Sequence, residues 1–381
     1  MPGFLAGHEL SRNRIEAAKQ ARISAGLPLL DLTSSNPTQN GYLFPANVLE
    51  EAFGQYLRSR RYEPDAKGLI AARKAIAGYY SFRQPALEIS PEHVFITAST
   101  SEAYVLLFSL LCDPGDTIVS PQISYPLFDY FAEMFRISLK LYHMLEAGDW
   151  ETDEDSLRVA KAENARAVLF VSPHNPTGKI ISNRQEAVAE LGLPLIADEV
   201  FAEFPVLKNT APPLGILYPE LPVFHLNGIS KMFALPDLKL GWIALNEPAY
   251  QLFGARLAIL NDTLLGASGA IQYALPVVLQ EGRSFSEWMQ KKICASLGDA
   301  VNILKESPGI QVRLPDGGTF LFPRIEHPDE EELVLKLLER GVYVHPGYFY
   351  GAEEGAHIMI SCITQRETLL EGVRRIAAFL R

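Results

Sequence analysis

The sequence predicts an α/β fold: a mostly parallel seven-stranded sheet flanked by helices, followed by a small α+β domain. Three observations carry this. From about Pro45 onward, short apolar runs alternate with helical patterns, as in folds whose sheet is buried on both faces. Beyond Gly282 the pattern changes to a mixture of helices and separate strands. The 381 residues also exceed the roughly 250 to 300 at which single cores stop growing, so two domains are expected. Residues 45–280 form the large domain in this reading, and 1–44 with 281–381 the small one.

The predicted strands, in order, are VFITA from Val94, TIVSP from Thr117, LKLYHM from Leu139, AVLFV from Ala167, PLIADEV from Pro194, VFHLNG from Val223 and GWIAL from Gly241. After the first strand, Ser99-Thr100-Ser101-Glu102 opens the apolar helix AYVLLFSLL, so Ser or Thr caps it with Glu102 in its first turn. Such a helix start also binds anions. A long helical stretch covers about 247–282, interrupted by Gly266, Gly269 and Pro276, and holds the domain connection. Then come a helix over Arg283 to Lys305, a strand in GGTFLFPRI, an amphipathic helix in EELVLKLLER, a strand in HIMISC and a final helix.

Composition narrows the function. The 34 Lys and Arg against 45 Asp and Glu give a net charge of −11, and no basic block supplies affinity for phosphate backbones. Nucleic acid is excluded as a partner. Cys112, Cys294 and Cys362 are odd in number and lack a C-x-x-C pattern, so neither a disulfide framework nor a metal site is expected. MPGFLAGHEL lacks a basic start, and the most apolar run, Tyr104 to Cys112, is far shorter than the ~20 residues of a membrane span. A soluble, cytoplasmic protein is expected.

Three predicted strands end in polar residues at the edge where open α/β sheets bind ligands. Asn175 follows AVLFVSPH, Asp198 closes PLIA, and Ser230-Lys231 follow VFHLNG. Each alone has an ordinary explanation. N-P-T-G is a turn sequence, Ser-Lys is usually a solvated pair, and a buried Asp198 could pair with an arginine, a helix cap or a cofactor cation. Together they form a set able to recognise a pyridinium aldehyde, with lysine as nucleophile, aspartate at the ring nitrogen and asparagine at the ring hydroxyl.

With these residues in place, the chain resembles the class I/II aminotransferases among the fold type I pyridoxal 5′-phosphate (PLP) enzymes, from about Leu30 to the C-terminus. The matches are DLTSSNP, YEPDAKGLIAAR, ITASTSEA, LLCDPGDTIVSPQISYP, SPHNPTGKI, ADEVF, NGISKMFALPDLKLGW, GGTFLF and HIMIS. The resemblance implies that Lys231 forms the Schiff base and shuttles the substrate proton. It implies that Asp198 keeps the pyridine nitrogen protonated, that Asn175 bonds the ring hydroxyl oxygen, and that Tyr125 stacks on the ring. Ser99, Thr100, Ser101, Ser230 and Lys239 match phosphate-site positions. Lys239, eight residues after Lys231, stands where the family has an arginine and so loses the bidentate fork. Tyr62 matches a tyrosine that reaches the phosphate of the neighbouring subunit, which implies a homodimer with shared sites.

Some positions depart from the family pattern. Met359, in HIMIS, replaces the arginine that clamps the substrate carboxylate, with Arg324 and Arg366 as candidate substitutes. Phe201 replaces a tyrosine that bonds the ring oxygen, and Gly228 a hydroxyl residue. The 23 positions from Asn175 to Asp198 leave room for only a short helix. The expected activity is amino transfer between an amino acid or amine and a keto compound. A PLP-dependent lyase, by C–S β-elimination or dehydration with cyclisation, and a non-catalytic PLP-fold binding protein are the alternatives.

Overall fold

Seven apolar stretches form the central sheet: β1 (Val94–Thr97), β2 (Thr117–Pro121), β3 (Ser138–Tyr142), β4 (Ala165–Val171), β5 (Leu195–Asp198), β6 (Val223–Gly228) and β7 (Gly241–Leu245). The computed structural model describes His8, residues 11–161 and residues 163–380. The N-terminal stretch read above for the lack of a leader, and with it the start of the proposed small domain, therefore lies largely outside the described residues.

The strand order is β1-β7-β6-β5-β4-β2-β3. The pairs β2–β3, β2–β4, β4–β5 and β5–β6 are parallel, whereas β7 runs antiparallel to both its neighbours. Every residue of β5, β6 and β7 is buried, as a sheet covered on both faces requires. Alternate residues feed two cores: Leu169 and Ile196 join Phe108 and Leu226 on one face, while Val168, Phe170 and Leu195 join Val188 and Tyr218 on the other.

The long helices are α1 (Arg14–Ser24), α2 (Ala46–Ser59), α3 (Ile70–Phe82), α4 (Thr100–Leu111), α5 (Leu127–Phe135), α6 (Glu247–Leu264), α7 (Gly269–Glu281), α8 (Arg283–Leu304), α9 (Glu330–Glu339) and α10 (Arg366–Phe379). The stretch expected to be interrupted between 247 and 282 breaks once, where Leu265 (φ 60°) and Gly266 (φ 51°) turn left-handed, and Pro276 stays inside α7. The helix between Asn175 and Asp198 is short, Glu186–Leu191. The LKLYHM strand stops at Tyr142, and Met144–Leu145 instead pairs with Glu151–Thr152 in a hairpin.

A second sheet follows α8, with strands β8 (Ile310–Gln311), β9 (Phe320–Leu321), β10 (Arg324–Ile325), β11 (His345–Pro346) and β12 (Ala356–Ser361). GGTFLFPRI thus supplies two short strands divided at Phe322-Pro323, where proline removes a ladder donor. The N-terminal segment docks here: Leu30–Asp31 pairs in parallel with Val342–Tyr343, and Arg14 Nη1 meets Glu331 Oε1 at 2.6 Å.

Two histidines make this fold acid-sensitive. Burial pushes the imidazole pKa of His174 down to about 4, against a backbone hydrogen bond at Ile123, and that of His345 down to about 4, against Asp31. The unfolded chain takes up these protons below about pH 6.5, whereas the folded chain refuses them until about pH 4. Stability is therefore fully present above that window and falls as pH drops through it. Each site accounts for about 3 kcal/mol across the window. Urea unfolding at pH 6.5 and 4.5 is expected to show wild type losing more stability than His174→Gln. An equal loss in both proteins refutes the assignment.

Candidate active site

The sheet topology brings the ends of β4, β5 and β6 and the start of the antiparallel β7 to one edge. After β4, Ser172 N–H donates to Asp198 O at 2.9 Å, tying the Asn175 loop to the end of β5. The loop closes with Gly178 N–H donating to His174 O at 2.7 Å. Gly178 sits at φ 75°, and a Cβ there would lie 2.5 Å from Gly317 O, so only glycine fits. The peptide bonds preceding Pro173 and Pro176 are cis. In this loop the Asn175 Oδ1 atom is buried without a hydrogen-bond partner.

Asp198 is buried at the tip of β5. Its Oδ2 accepts a hydrogen bond from the Tyr104 hydroxyl at 2.6 Å, and its Oδ1 accepts one from Val200 N–H at 3.1 Å. Burial raises the carboxyl's pKa, while the two hydrogen bonds and the charge of Lys231 act in the opposite direction. Lys231 lies on the short helix Ile229–Met232 directly after β6. Burial lowers its pKa and Asp198 partly offsets this, so the two groups share one electrostatic environment. Its Nζ reaches Ser35 O at 3.5 Å, and among the described residues no carboxylate lies within ion-pair distance.

Three of the predicted phosphate residues, Ser99, Thr100 and Ser101, open α4. Ser99 is its N-cap, with Oγ accepting from Glu102 N–H at 3.1 Å, while the Glu102 carboxylate turns back to Ala98 N–H. Glycine at 241 is what lets β7 approach: a Cβ there would lie 2.9 Å from Ser99 C and 3.0 Å from Thr100 N. Gly241 also pairs with Gly228, which leads into Ser230 and Lys231. Ser99, Thr100, Gly228 and Gly241 therefore meet at one corner of the sheet. Ser101 and Lys239 are exposed and Ser230 is half-buried.

The other predicted positions divide. Tyr125, just before α5, is 49% exposed, and the preceding Ser124 N–H donates to Tyr350 O at 2.8 Å. Phe201 is buried, its ring centroid 5.6 Å from Phe320 and 6.5 Å from Phe204. Tyr62, in the loop between α2 and α3, is 83% exposed. Met359 is buried in β12, in register with His345. Of the candidate substitute arginines, Arg324 pairs with Glu146 at 3.2 Å and Arg366 pairs with Asp299.

Two features escaped the sequence reading. Tyr104 lies one turn into α4, and helical side chains lean toward the N-terminus, which carries its hydroxyl to the strand ends. Behind β5 and β6, the buried Glu199 carboxylate binds Arg83 and sits 2.7 Å from His225 Nδ1, while Arg83 also donates to Ala211 O. The signal for the second was a charged and an imidazole residue, Glu199 and His225, inside otherwise apolar runs.

Residues 28–376 match the family described as "Aminotransferase class I and II". The chain belongs to this family. Glutamate-pyruvate aminotransferase AlaA of Escherichia coli (strain K12) is 27% identical to it, over 93% of this chain and 91% of that protein. Nicotianamine aminotransferase 1 of Oryza sativa subsp. japonica is 26% identical, over 92% of this chain and 75% of the relative. Among solved structures, an alanine aminotransferase from Pyrococcus furiosus superposes with a TM-score of 0.89 at 25% identity, covering 100% of this chain and 99% of that one. An aminotransferase from Escherichia coli shares the fold with a TM-score of 0.88 at 24% identity, covering 100% and 98%. The protein is a PLP-dependent aminotransferase acting on small molecules. Its strand-end residues fit that cofactor: a buried carboxylate suits a ring cation, an unpartnered amide oxygen in the neighbouring strand's loop can accept a hydrogen bond from a hydroxyl, a helix N-terminus suits a phosphate, and an amine lies within reach of the carboxylate's field.

Proposed function

We propose that Lys231 carries the cofactor and moves the proton at the substrate α-carbon in transfer of an amino group from an amino acid or amine to a keto compound. The observation behind this is an amine placed directly after β6, its protonated form disfavoured by burial, within the field of Asp198 and, among the described residues, without an ion-pair partner. Bound here, the cofactor supplies a sink for the electron pair left when the α-proton is removed. Asp198 holds the ring nitrogen's positive charge, and Asn175 bonds the ring hydroxyl oxygen. Tyr125 would pack on the ring, and Phe201 at the tyrosine's usual place would contribute no hydrogen bond to it. Ser99, Thr100, Ser101, Ser230 and Lys239 hold the phosphate, with the α4 dipole favouring its charge. Incubation with a panel of 15N-labelled amino donors and keto acceptors tests the activity. Label recovered on the acceptor supports transfer, and no exchange with any pair counts against it.

The buried Met359 and the engaged Arg324 and Arg366 favour one second reading, elimination of a leaving group from the β-carbon, which would release ammonia and a keto acid in the same assay. They also set donor preference. Glutamate and aspartate are expected to be poor donors, and Met359→Arg to raise their kcat/KM about tenfold or more by restoring a bidentate partner. Fast turnover of both by wild type, unaltered in Met359→Arg, refutes this.

The working unit in this proposal is a cytoplasmic homodimer in which Tyr62 serves the partner's phosphate site. Supporting it are the exposure of Tyr62 and the exposed apolar Leu43, Leu57, Ile259 and Leu265. Sedimentation is expected to give twice the 42.2 kDa chain mass, and a fully active monomer refutes it. Free thiols at Cys112, Cys294 and Cys362 support a reducing compartment. The proposed division is a large domain over 45–280 and a small one from 1–44 with 281–381. The pairing of Leu30–Asp31 with Val342–Tyr343 and the packing of α8 on α10 support it.

A further inference from the structure

The apolar helix α4 presents a phenol to the carboxylate at the tip of β5. Tyr104 is buried, and its ring is enclosed by Phe128 at 5.1 Å, Phe131 at 5.8 Å and Phe108 at 6.1 Å between centroids. The enclosure leaves the hydroxyl 2.6 Å from Asp198 Oδ2, while Val200 N–H bonds the other oxygen. We propose that Tyr104 is a positioning residue whose hydrogen bond keeps Asp198 fixed and ionised, so that the shared proton stays on the cofactor's ring nitrogen. This rests on the reading above that Asp198 faces that nitrogen.

The physical argument is a competition at one carboxyl group. Burial, and the neighbouring charge of Glu199, favour the protonated acid, which could not stabilise a ring cation. Tyr104, Val200 N–H and Lys231 oppose them. Of these, Lys231 is engaged in the reaction and Val200 N–H is fixed backbone. Among the described residues, Tyr104 is therefore the side chain outside the reacting set that holds the charge. Burial and the adjacent carboxylate push the phenol's own pKa well above its ordinary value, so it remains a donor throughout the working pH range. A hydrogen bond to a charged group is among the stronger ones, and its loss inside an apolar enclosure is not made good by water.

Tyr104→Phe keeps the aromatic packing and removes only the hydroxyl. In apoprotein labelled with 13C at aspartate carboxyls, the Asp198 titration is expected to move upward in this variant. In protein loaded with PLP labelled with 15N in the ring, the nitrogen resonance is expected to shift toward the unprotonated position. Turnover should fall by about tenfold with KM little changed. Incorporation of 3-fluorotyrosine at 104, a stronger donor, should move the titration and the resonance the opposite way, and it decides the matter alone if Tyr104→Phe does not fold. Asp198→Asn separates the two levels of the argument. If it moves the ring-nitrogen resonance but neither Tyr104 variant alters the resonance or the carboxyl titration, the role of Tyr104 is overturned and the role of Asp198 stands. If Asp198→Asn leaves the resonance unmoved, the reading of Asp198 falls and the proposal with it.

Discussion

Lys231→Ala is expected to abolish amino transfer while leaving the fold intact. The amine combines depressed basicity with nearness to Asp198. Removing it takes away both the attachment point and the group that moves the α-proton. General acid–base participation alone is worth about 10²- to 10⁴-fold, so kcat should fall by at least ~10⁴ when the covalent role is lost as well. The fold should survive because the ammonium makes a single long contact, to Ser35 O at 3.5 Å, and no ion pair among the described residues. Borohydride reduction of the loaded enzyme, followed by peptide mapping, should place the cofactor label on Lys231. Label on another lysine, or near-normal kcat in a folded Lys231→Ala protein, refutes the assignment.

That Lys231, Asp198 and Asn175 share one edge was legible in the sequence because of the sheet. Asp198 is the last residue of β5, Asn175 and Lys231 follow within four residues of the ends of β4 and β6, and parallel strands deliver their carboxyl ends to one edge. Strand direction was not equally legible. GWIAL reads as a buried strand in either orientation, and it is antiparallel to both neighbours. That reversal has a consequence for the site, since it brings the start of β7, and so Gly241, against Ser99 and Thr100. The LKLYHM run was read too long because β-propensity continues through His143, whereas the hairpin partner Glu151–Thr152 claims Met144 and Leu145. The contacts that stayed hidden join residues far apart in the chain. Tyr104 and Asp198 are 94 positions apart, and Arg83 and Glu199 are 116 apart. Periodicity places each residue on its own element but carries no information about which side chains face each other across a helix and a sheet.

Removal of either partner in the Arg83–Glu199 pair is expected to cost about 3 to 5 kcal/mol of stability, since it strands a buried charge. Both side chains are almost fully enclosed, at 6% and 3% exposure. Burial alone would raise the Glu199 carboxyl's pKa, but Arg83 and His225 outweigh it and hold the pKa below the usual carboxylate range. The guanidinium is raised in turn, because the Glu199 charge outweighs its own burial. Glu199→Gln is the cleaner probe. It keeps the volume, removes the guanidinium's paired carboxylate and leaves only the more distant charge of Glu203, and leaves His225 Nδ1 facing an amide. The pair also links α3 to the tip of β5, next to Asp198, and through His225 to the middle of β6, so loosening it should reach the site as well as the core. Urea unfolding at pH 7 of Arg83→Met, Glu199→Gln and the double variant supplies the measurement. The double variant is expected to lose less than the sum of the two single losses, because its second change removes the charge the first left unpaired. The depressed carboxyl contributes stability above its unfolded pKa, near 4.3, and that contribution disappears as pH falls through the folded value. The gap between wild type and Glu199→Gln should therefore narrow in acid. Single losses below about 1 kcal/mol, or strict additivity in the double variant, would show that the pair is solvated and does not brace the strand ends.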